Sequence, residues 1–270
     1  MPDIEHYANR LEVADPLREP VIRAAIRTLH LPPGSRGLDA GCGIGLQIPL
    51  LAKAVGPTGH VTGLDISPAF LDRARKLVAQ VDLSERVSFR EGNIHQLPFD
   101  DDTFDWLWSA DCAGYPTRSP LPLMRELVRV VRPGGTVAIL VWSSQMLLPG
   151  RPLLEARLNA TGAGIAPFSR DMEPEQHFLR ALGWFRGVGL EGCTVRTLVG
   201  DLQGPLTGEM RTALVDLFEM RWTGAQTELS SEDWAEYQRL CQSQSPDCIL
   251  DRPGYYAFFT ESLFCGQVVK

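Results

Sequence analysis

Strand-length apolar runs alternate with helix-length amphipathic ones from Gly37 to Trp142, joined by short connections. "RGLDA", "HVTGLDI", "RVSFREGN", "FDWLWSA" and "TVAILVW" read as five strands, with "GLQIPLLAKAV", the stretch opened by Ser67-Pro68 and "LPLMRELVRVV" as helices among them. A chain that passes through a helix between neighbouring strands crosses back over the sheet, so the strands run parallel and helices cover both faces. The expected fold class is therefore α/β, a doubly wound, Rossmann-like sheet.

Local signals agree with this frame. Ser67 offers its hydroxyl to the start of a helix whose inner face carries Phe70, Leu71, Ala74, Leu77, Val78 and Val81. Pro49 falls in a first helical turn, where its missing N–H costs little. Arg132-Pro133-Gly134-Gly135 is expected to stop the helix before the fifth strand. Upstream, Val21, Ile22, Ala25, Ile26 and Leu29 recur at helical spacing and predict a helix from Leu17 to Leu29.

After Trp142 the rhythm changes. Residues 143–170 are loop-rich, with weak helix signals around Leu153–Leu158. Glu175–Leu182 reads as a helix, "CTVRTLVGDL" as a strand, Gly208–Trp222 and Ser230–Gln242 as helices, and "YYAFFTESLFCGQVV" as a long final strand. Ser230 and Asp233 suggest a capping box. The expected organisation is a core at 1–142 with an N-terminal helical arm, an elaboration at 143–201 carrying a helix and the sixth strand, a helical lid insertion at 202–253, and the final strand of the core sheet at 254–270.

The hydrophobic fraction of 44% over 270 residues is enough for a sizeable core. A net charge of −7 without a run of Lys or Arg argues against a broad nucleic-acid surface. "TVAILVW" is far too short to span a bilayer, and the polar "MPDIEHYANR" is not a secretory signal. The six cysteines are scattered without a Cys-x-x-Cys pair, so reduced thiols in a cytoplasmic protein are expected, with no metal site.

"GLDAGCGIGLQIPLLA" carries the most chemistry. Gly41, Gly43 and Gly45 stand where the first strand turns into a helix, and a Cβ there would block a ligand's approach to the backbone or forbid the turn. A dinucleotide turn would read G-x-G-x-x-G, but Leu46 stands where its last glycine belongs. Asp65 ends the second strand, where a carboxylate can accept two ribose hydroxyls; its other reading is a cap for the next helix. Asn93 ends the third strand, where its amide suits an adenine edge or simply a turn, and Ile94 can pack on the ring. Ser109 ends the fourth strand beneath such a ligand, or is an ordinary buried serine.

"LDAGCGIG", "VTGLDIS", "EGNIHQLPFDDDTFD" and "LVRVVRPGGTVAIL", in this order, resemble the successive motifs of class I S-adenosylmethionine-dependent methyltransferases, most closely the small-molecule enzymes of ubiquinone and menaquinone biosynthesis. The resemblance covers roughly Leu17 to Trp142. It implies a seven-stranded sheet with an antiparallel last strand, and S-adenosyl-L-methionine as cofactor, leaving S-adenosyl-L-homocysteine as product. It assigns Asp39, Gly41, Gly43 and Gly45 to the amino-acid part of the cofactor, Asp65 to the ribose, and Asn93 with Ile94 to the adenine, with Ile66 also counted among the cofactor-binding residues. Gln47 reaches the amino-acid end or serves packing. The family's third strand ends in aspartate, whereas this chain has the uncharged Asn93.

Methyl transfer from a sulfonium is an in-line displacement, so positioning is the main task of the protein. Asp111, Tyr115, His6 and Tyr7 are the candidates for a base, each more readily read as a loop or packing residue, and no catalytic residue is assigned. Cys112 reads as a small apolar residue. Phe168, Phe218, Trp222, Trp234, Tyr237, Tyr255 and Tyr256 are expected to wall a partly apolar small-molecule acceptor, or else to be core. Arg221 and Trp222 would then line the lid. The alternatives are a non-catalytic S-adenosylmethionine-binding or regulatory protein and an NAD(P)-dependent oxidoreductase. The expected state is monomer or homodimer.

Overall fold

The computed structural model describes residues 4–115 and 119–269. Residues 1–3 and 270, which belong to the expected N-terminal arm and final strand, lie outside the described residues. A long helix α1 (Ile4–Thr28) leads into β1 (Arg36–Ala40), α2 (Ile48–Ala54), β2 (His60–Asp65), α3 (Pro68–Gln80), β3 (Val87–Glu91), β4 (Phe104–Ala110), α4 (Pro120–Arg129) and β5 (Val131–Met146). Then come α5 (Pro152–Asn159), α6 (Ala181–Gly187), β6 (Glu191–Gln203), α7 (Gly208–Trp222), α8 (Ser231–Cys241) and β7 (Tyr256–Gln267).

The strands form one seven-stranded sheet in the order β3-β2-β1-β4-β5-β7-β6. β1 to β5 pair in parallel, and β7 lies antiparallel between β5 and β6. The chain winds outward from β1 in one direction and from β4 in the other, so the crevice at the ends of β1 and β4 is where a ligand can enter such a sheet.

Side-chain alternation along the strands builds the layers. Val61, Trp106, Trp108 and Leu140 face α1, α2 and α3, while Leu38, Leu64, Leu107 and Ile139 face α4 and α6. A third apolar cluster joins α5, α7 and α8 to Leu17 of α1 and Phe259 of β7. Each fully buried side chain of this size contributes about 1.5–3 kcal/mol from leaving water, which ties the insertion to the core.

The structure revises several expected boundaries. Pro16 and Pro20 lie inside α1, which begins at Ile4 and not at Leu17. Packing of α1 on α7 outweighs the two lost backbone donors. Arg132-Pro133-Gly134-Gly135 is part of β5, accommodated by a register shift against β4. The expected Glu175–Leu182 helix resolves into two 3-10 turns followed by α6, because His177 accepts the Leu179 N–H and starts a new turn there. Ser67 and Ser230 cap α3 and α8 as expected, accepting from the N–H groups of Phe70 and Asp233. The second leg at Ser230 differs, since its hydroxyl donates to the Asp233 carboxylate. All six cysteines are free, and among the described residues no helix is long and apolar enough to cross a membrane.

Candidate functional site

The loop after β1 is fastened to the end of β2. Leu64 C=O accepts the N–H groups of Gly41 and Cys42, at 2.8 and 2.9 Å. Asp65 accepts the Gly43 N–H with one carboxylate oxygen and the Ser67 N–H with the other, both at 2.9 Å. Asp65 thus both holds the loop and steadies the entry to α3, while each oxygen keeps a lone pair for a further donor.

The glycines divide by role. Gly43 has φ +54°, and a Cβ built on it meets nothing nearer than Leu11 Cδ1 at 3.8 Å, so the loop is open there. Gly45 has φ +82°, and its Cβ would come 2.8 Å from Ala74 Cβ, so it serves close packing of α3. At Gly41 the added atom would strike Cys112.

A cavity of about 300 Å³ opens over this loop. Gly41, Gly43, Gln47 and Asp65 line one side of it, with Phe70 beside them. Tyr7, Leu11 and Arg18 of α1 and Leu217, Met220 and Arg221 of α7 close the other side, and Asp111, Tyr115 and Trp142 form the inner end. Arg10 clasps α1 to α7 by donating to Asp216, at 3.2 Å to the carboxylate and 2.8 Å to its C=O. A separate hollow of about 330 Å³ between α1, β6 and α7 is mostly apolar and does not reach the glycine loop.

The inner end holds a buried charge cluster. Arg18 pairs with Asp111 and donates to Glu261 Oε1 at 2.9 and 2.7 Å. Burial works against the Arg18 cation, but the two carboxylates outweigh it and hold it protonated. Glu261 is 0% exposed, and its Oε2 has no partner. Burial pushes its carboxyl up to about 7 against the pull of Arg18. Asp111 also accepts the Trp142 backbone N–H at 3.1 Å. The Trp142 ring stacks on Phe259, with 4.4 Å between centroids, and the guanidiniums of Arg18 and Arg221 lie 6.0 and 5.2 Å from its centroid. A register shift of β5 against β7 falls at this point, between Trp142 and Ser144. Burial and then Asp111 raise the phenols of Tyr7 and Tyr115, so both remain O–H donors at neutral pH.

Of the sequence-predicted site residues, Gly41, Gly43, Gln47 and Asp65 come together at the cavity. Asp39 sits beneath the loop, 2% exposed with Oδ2 unpartnered. Burial, and next the Asp65 charge, pushes its carboxyl up to about 8. Ile66 is 67% exposed, Asn93 caps its own turn by accepting the His95 N–H at 2.9 Å, and Ile94 packs at the edge of the α4 cluster. Ser109 is fully buried, donating to Ala40 C=O and accepting from Ala113 N–H. Ile66, Asn93, Ile94 and Ser109 are not walls of this cavity. Of the candidates for a base, Tyr7, Asp111 and Tyr115 reach it and His6 does not.

The expected aromatic wall is not there. Phe218, Trp222, Tyr237 and Tyr255 form the core of the insertion, Phe168 packs on His177 and Phe178, and Tyr256 is exposed. The cavity draws its rings from Tyr7, Phe70, Tyr115 and Trp142 instead. Sequence reasoning missed Arg18, Trp142 and Glu261. Two anomalies marked the first and the last: a charge on an apolar helical face, and a lone carboxylate within the apolar final strand.

A family profile described as a methyltransferase domain matches residues 38–135. Demethylmenaquinone methyltransferase of Halalkalibacterium halodurans is 38% identical over 127 residues, 46% of this chain and 49% of that protein. The Bacillus cytotoxicus enzyme of the same name is 35% identical over 134 residues, 48% of this chain and 54% of that one. The matched segment thus spans about half the length of these curated relatives. In fold, the chain resembles the crystal structure of a SAM-dependent methyltransferase from Aquifex aeolicus, with a TM-score of 0.50 at 22% identity, covering 73% of this chain and 93% of that one. The glycine loop and Asp65 fall within the segment that matches a methyltransferase domain, and the sheet with its antiparallel β7 is of the fold that the Aquifex aeolicus structure shares.

Proposed function

We propose that this protein transfers a methyl group from S-adenosylmethionine to a small organic acceptor, and that it does so mainly by positioning. The observation that carries the reading is continuity. One cavity joins the glycine loop and Asp65 to a chamber walled by α1, α7 and Trp142.

The residues present fit the cofactor. Gly43 opens the loop to a ligand, Asp65 retains acceptor capacity for ribose hydroxyls, and the unpartnered Asp39 carboxyl oxygen offers a further hydrogen-bonding atom beneath the end assigned to the ammonium group. Gln47 presents N–H donors at the same end. When bound, the cofactor supplies an electrophilic methyl on a sulfonium. Gly43, Asp65 and Gln47 would hold it while that methyl passes to the acceptor's lone pair and a neutral thioether leaves.

The chain's own contribution is orientation and the exclusion of water. Leu11, Leu17, Leu217 and Met220 give the chamber its apolar part. Holding two reactants in line is worth about 7–11 kcal/mol. Asp111 has one oxygen on Arg18 and the other on the Trp142 N–H, and Tyr7 and Tyr115 hold their protons. The segment 202–253 acts as a lid, since α7 forms one wall of the chamber.

The test is a screen of small molecules with S-adenosylmethionine labelled at the methyl group. Label appearing in a low-molecular-weight product, together with S-adenosylhomocysteine, is the expected result. Tight binding of S-adenosylhomocysteine without turnover on any acceptor would instead support a regulatory protein. Binding of NAD in its place would overturn both.

A further inference from the structure

The polar groups of the chamber are not evenly matched. Arg18 has two carboxylates, Arg10 has Asp216, and Asp111 is held from two sides. Arg221 lies over the Trp142 ring, yet its guanidinium has no hydrogen-bond acceptor or ion pair among the described residues, and its Nε is buried. It lines the chamber beside Tyr115 and Tyr7, whose hydroxyls likewise bond to none of the described residues. The free polar capacity of the chamber thus consists of a guanidinium fork, two phenolic O–H groups and the Asp15 carboxyl, which burial pushes up to about 6.

A guanidinium presents parallel N–H donors that match the two oxygens of a carboxylate, and such charge-assisted pairs are about twice as strong as neutral ones. A cationic acceptor would face Arg221 and Arg18, and of the carboxylates at this end Asp111 serves Arg18 and Asp216 serves Arg10, which leaves Asp15, itself beside Arg18, to answer it. A neutral acceptor would leave the buried guanidinium unanswered. Leu11, Leu17, Leu217 and Met220 offer apolar surface to the rest of the molecule.

We propose that the methyl acceptor is an organic acid with an apolar body, and that Arg221 holds its carboxylate while Tyr115 and Tyr7 donate to it. This deepens the methyltransferase reading of the same cavity and rests on it. One unmatched arginine calls for one negative charge, which favours a monocarboxylate over a phosphate ester. Arg221 is here a binding and specificity residue, with no part in bond making.

The experiment begins with S-adenosylhomocysteine titrated into the protein, and failure at that step counts against the methyltransferase reading alone. The protein saturated with it is then titrated with matched probes: benzoate and naphthoate, their carboxamides, and the corresponding arylmethylamines. The carboxylates are expected to bind about ten-fold or more tighter than the carboxamides, on the scale of a charge-assisted hydrogen bond, with the amines weakest. Arg221→Gln is expected to abolish that preference and to leave S-adenosylhomocysteine affinity unchanged. Arg221→Lys should retain part of the preference, and it serves as the test should the glutamine variant fail to fold. Equal binding of carboxylate and carboxamide, preference for an amine, no saturable carboxylate binding at millimolar concentration, or a preference that survives loss of the guanidinium would each overturn the proposal.

Discussion

The indole N–H of Trp108 donates to Gln47 Oε1 at 2.6 Å. An indole nitrogen is a donor only, so this contact fixes which way the Gln47 amide faces. Its oxygen is taken, and what it offers the cavity is a pair of N–H donors. Gln47→Glu keeps the bond to Trp108 but turns those donors into a negative oxygen. The cofactor's carboxylate would then meet a like charge, and affinity for S-adenosylhomocysteine should fall about ten-fold or more, or about 1.4 kcal/mol. Calorimetric titration at neutral pH checks this, and an unchanged Kd would place the amino-acid end of the ligand elsewhere.

Asp65→Ala removes the clamp on Gly43 and the acceptor assigned to the ribose. Cofactor binding should weaken by about 1.5–3 kcal/mol or more, while the fold persists, because the residue sits at a strand end and only partly buried. Cofactor binding at wild-type strength by a folded variant would mean that the ribose lies away from Asp65.

Gly43→Ala and Gly45→Ala separate ligand space from packing space. The first places a methyl toward the cavity and should reduce cofactor binding more than stability. The second drives Cβ into Ala74 at positive φ and should cost about 1–3 kcal/mol of stability. Melting curves beside titrations of both variants distinguish the two effects.

Neighbours in sequence, Arg221 and Trp222 should behave as opposites. Trp222 is fully buried among Phe218 and Tyr237 and donates to Asn159 Oδ1 at 3.1 Å, so Trp222→Ala should lose about 3–5 kcal/mol of stability. Arg221→Gln should alter methyl-transfer kinetics with little change in melting. If α7 were a subunit contact and not a lid, light scattering would show the change in mass instead.

Asp39 predicts a pH effect in the ligand-free protein. Its carboxyl is raised from 3.8 to about 8 in the fold, so the folded chain holds a proton that the unfolded chain has released. Its contribution to stability is fully present below about pH 4 and is lost as pH rises toward 8. Asp39→Asn mimics the protonated form and should flatten that decline, so the variant's advantage in Tm grows across the same window. Parallel profiles for the two proteins would show that Asp39 does not titrate there.

How much of this was legible depends on distance along the chain. The glycine spacing, the Asp65 strand end and the Ser67 cap are local, and each is where residue chemistry within a few positions puts it. The Arg18–Glu261 pair spans 243 positions, and no period or motif links its members. The aromatic insertion illustrates the other limit. Phe218 and Trp222 are spaced for one helical face, but spacing alone does not say whether that face meets a ligand or its own core. The early start of α1 was hidden by Pro16 and Pro20, whose local cost is overridden by packing against α7, where Arg10 meets Asp216, 206 positions away.

The position of β7 sets an order of assembly. It pairs with β5 on one side and β6 on the other, so β6, although earlier in the chain, has no edge to join until β7 has been laid down. The same strand delivers Glu261 to Arg18. A chain interrupted anywhere between Gln203 and Tyr256 would therefore forfeit two strands together with the Glu261 support of Arg18 at the inner end of the cavity, while its glycine loop and Asp65 stood intact. A cradle without a chamber is what such a fragment would present.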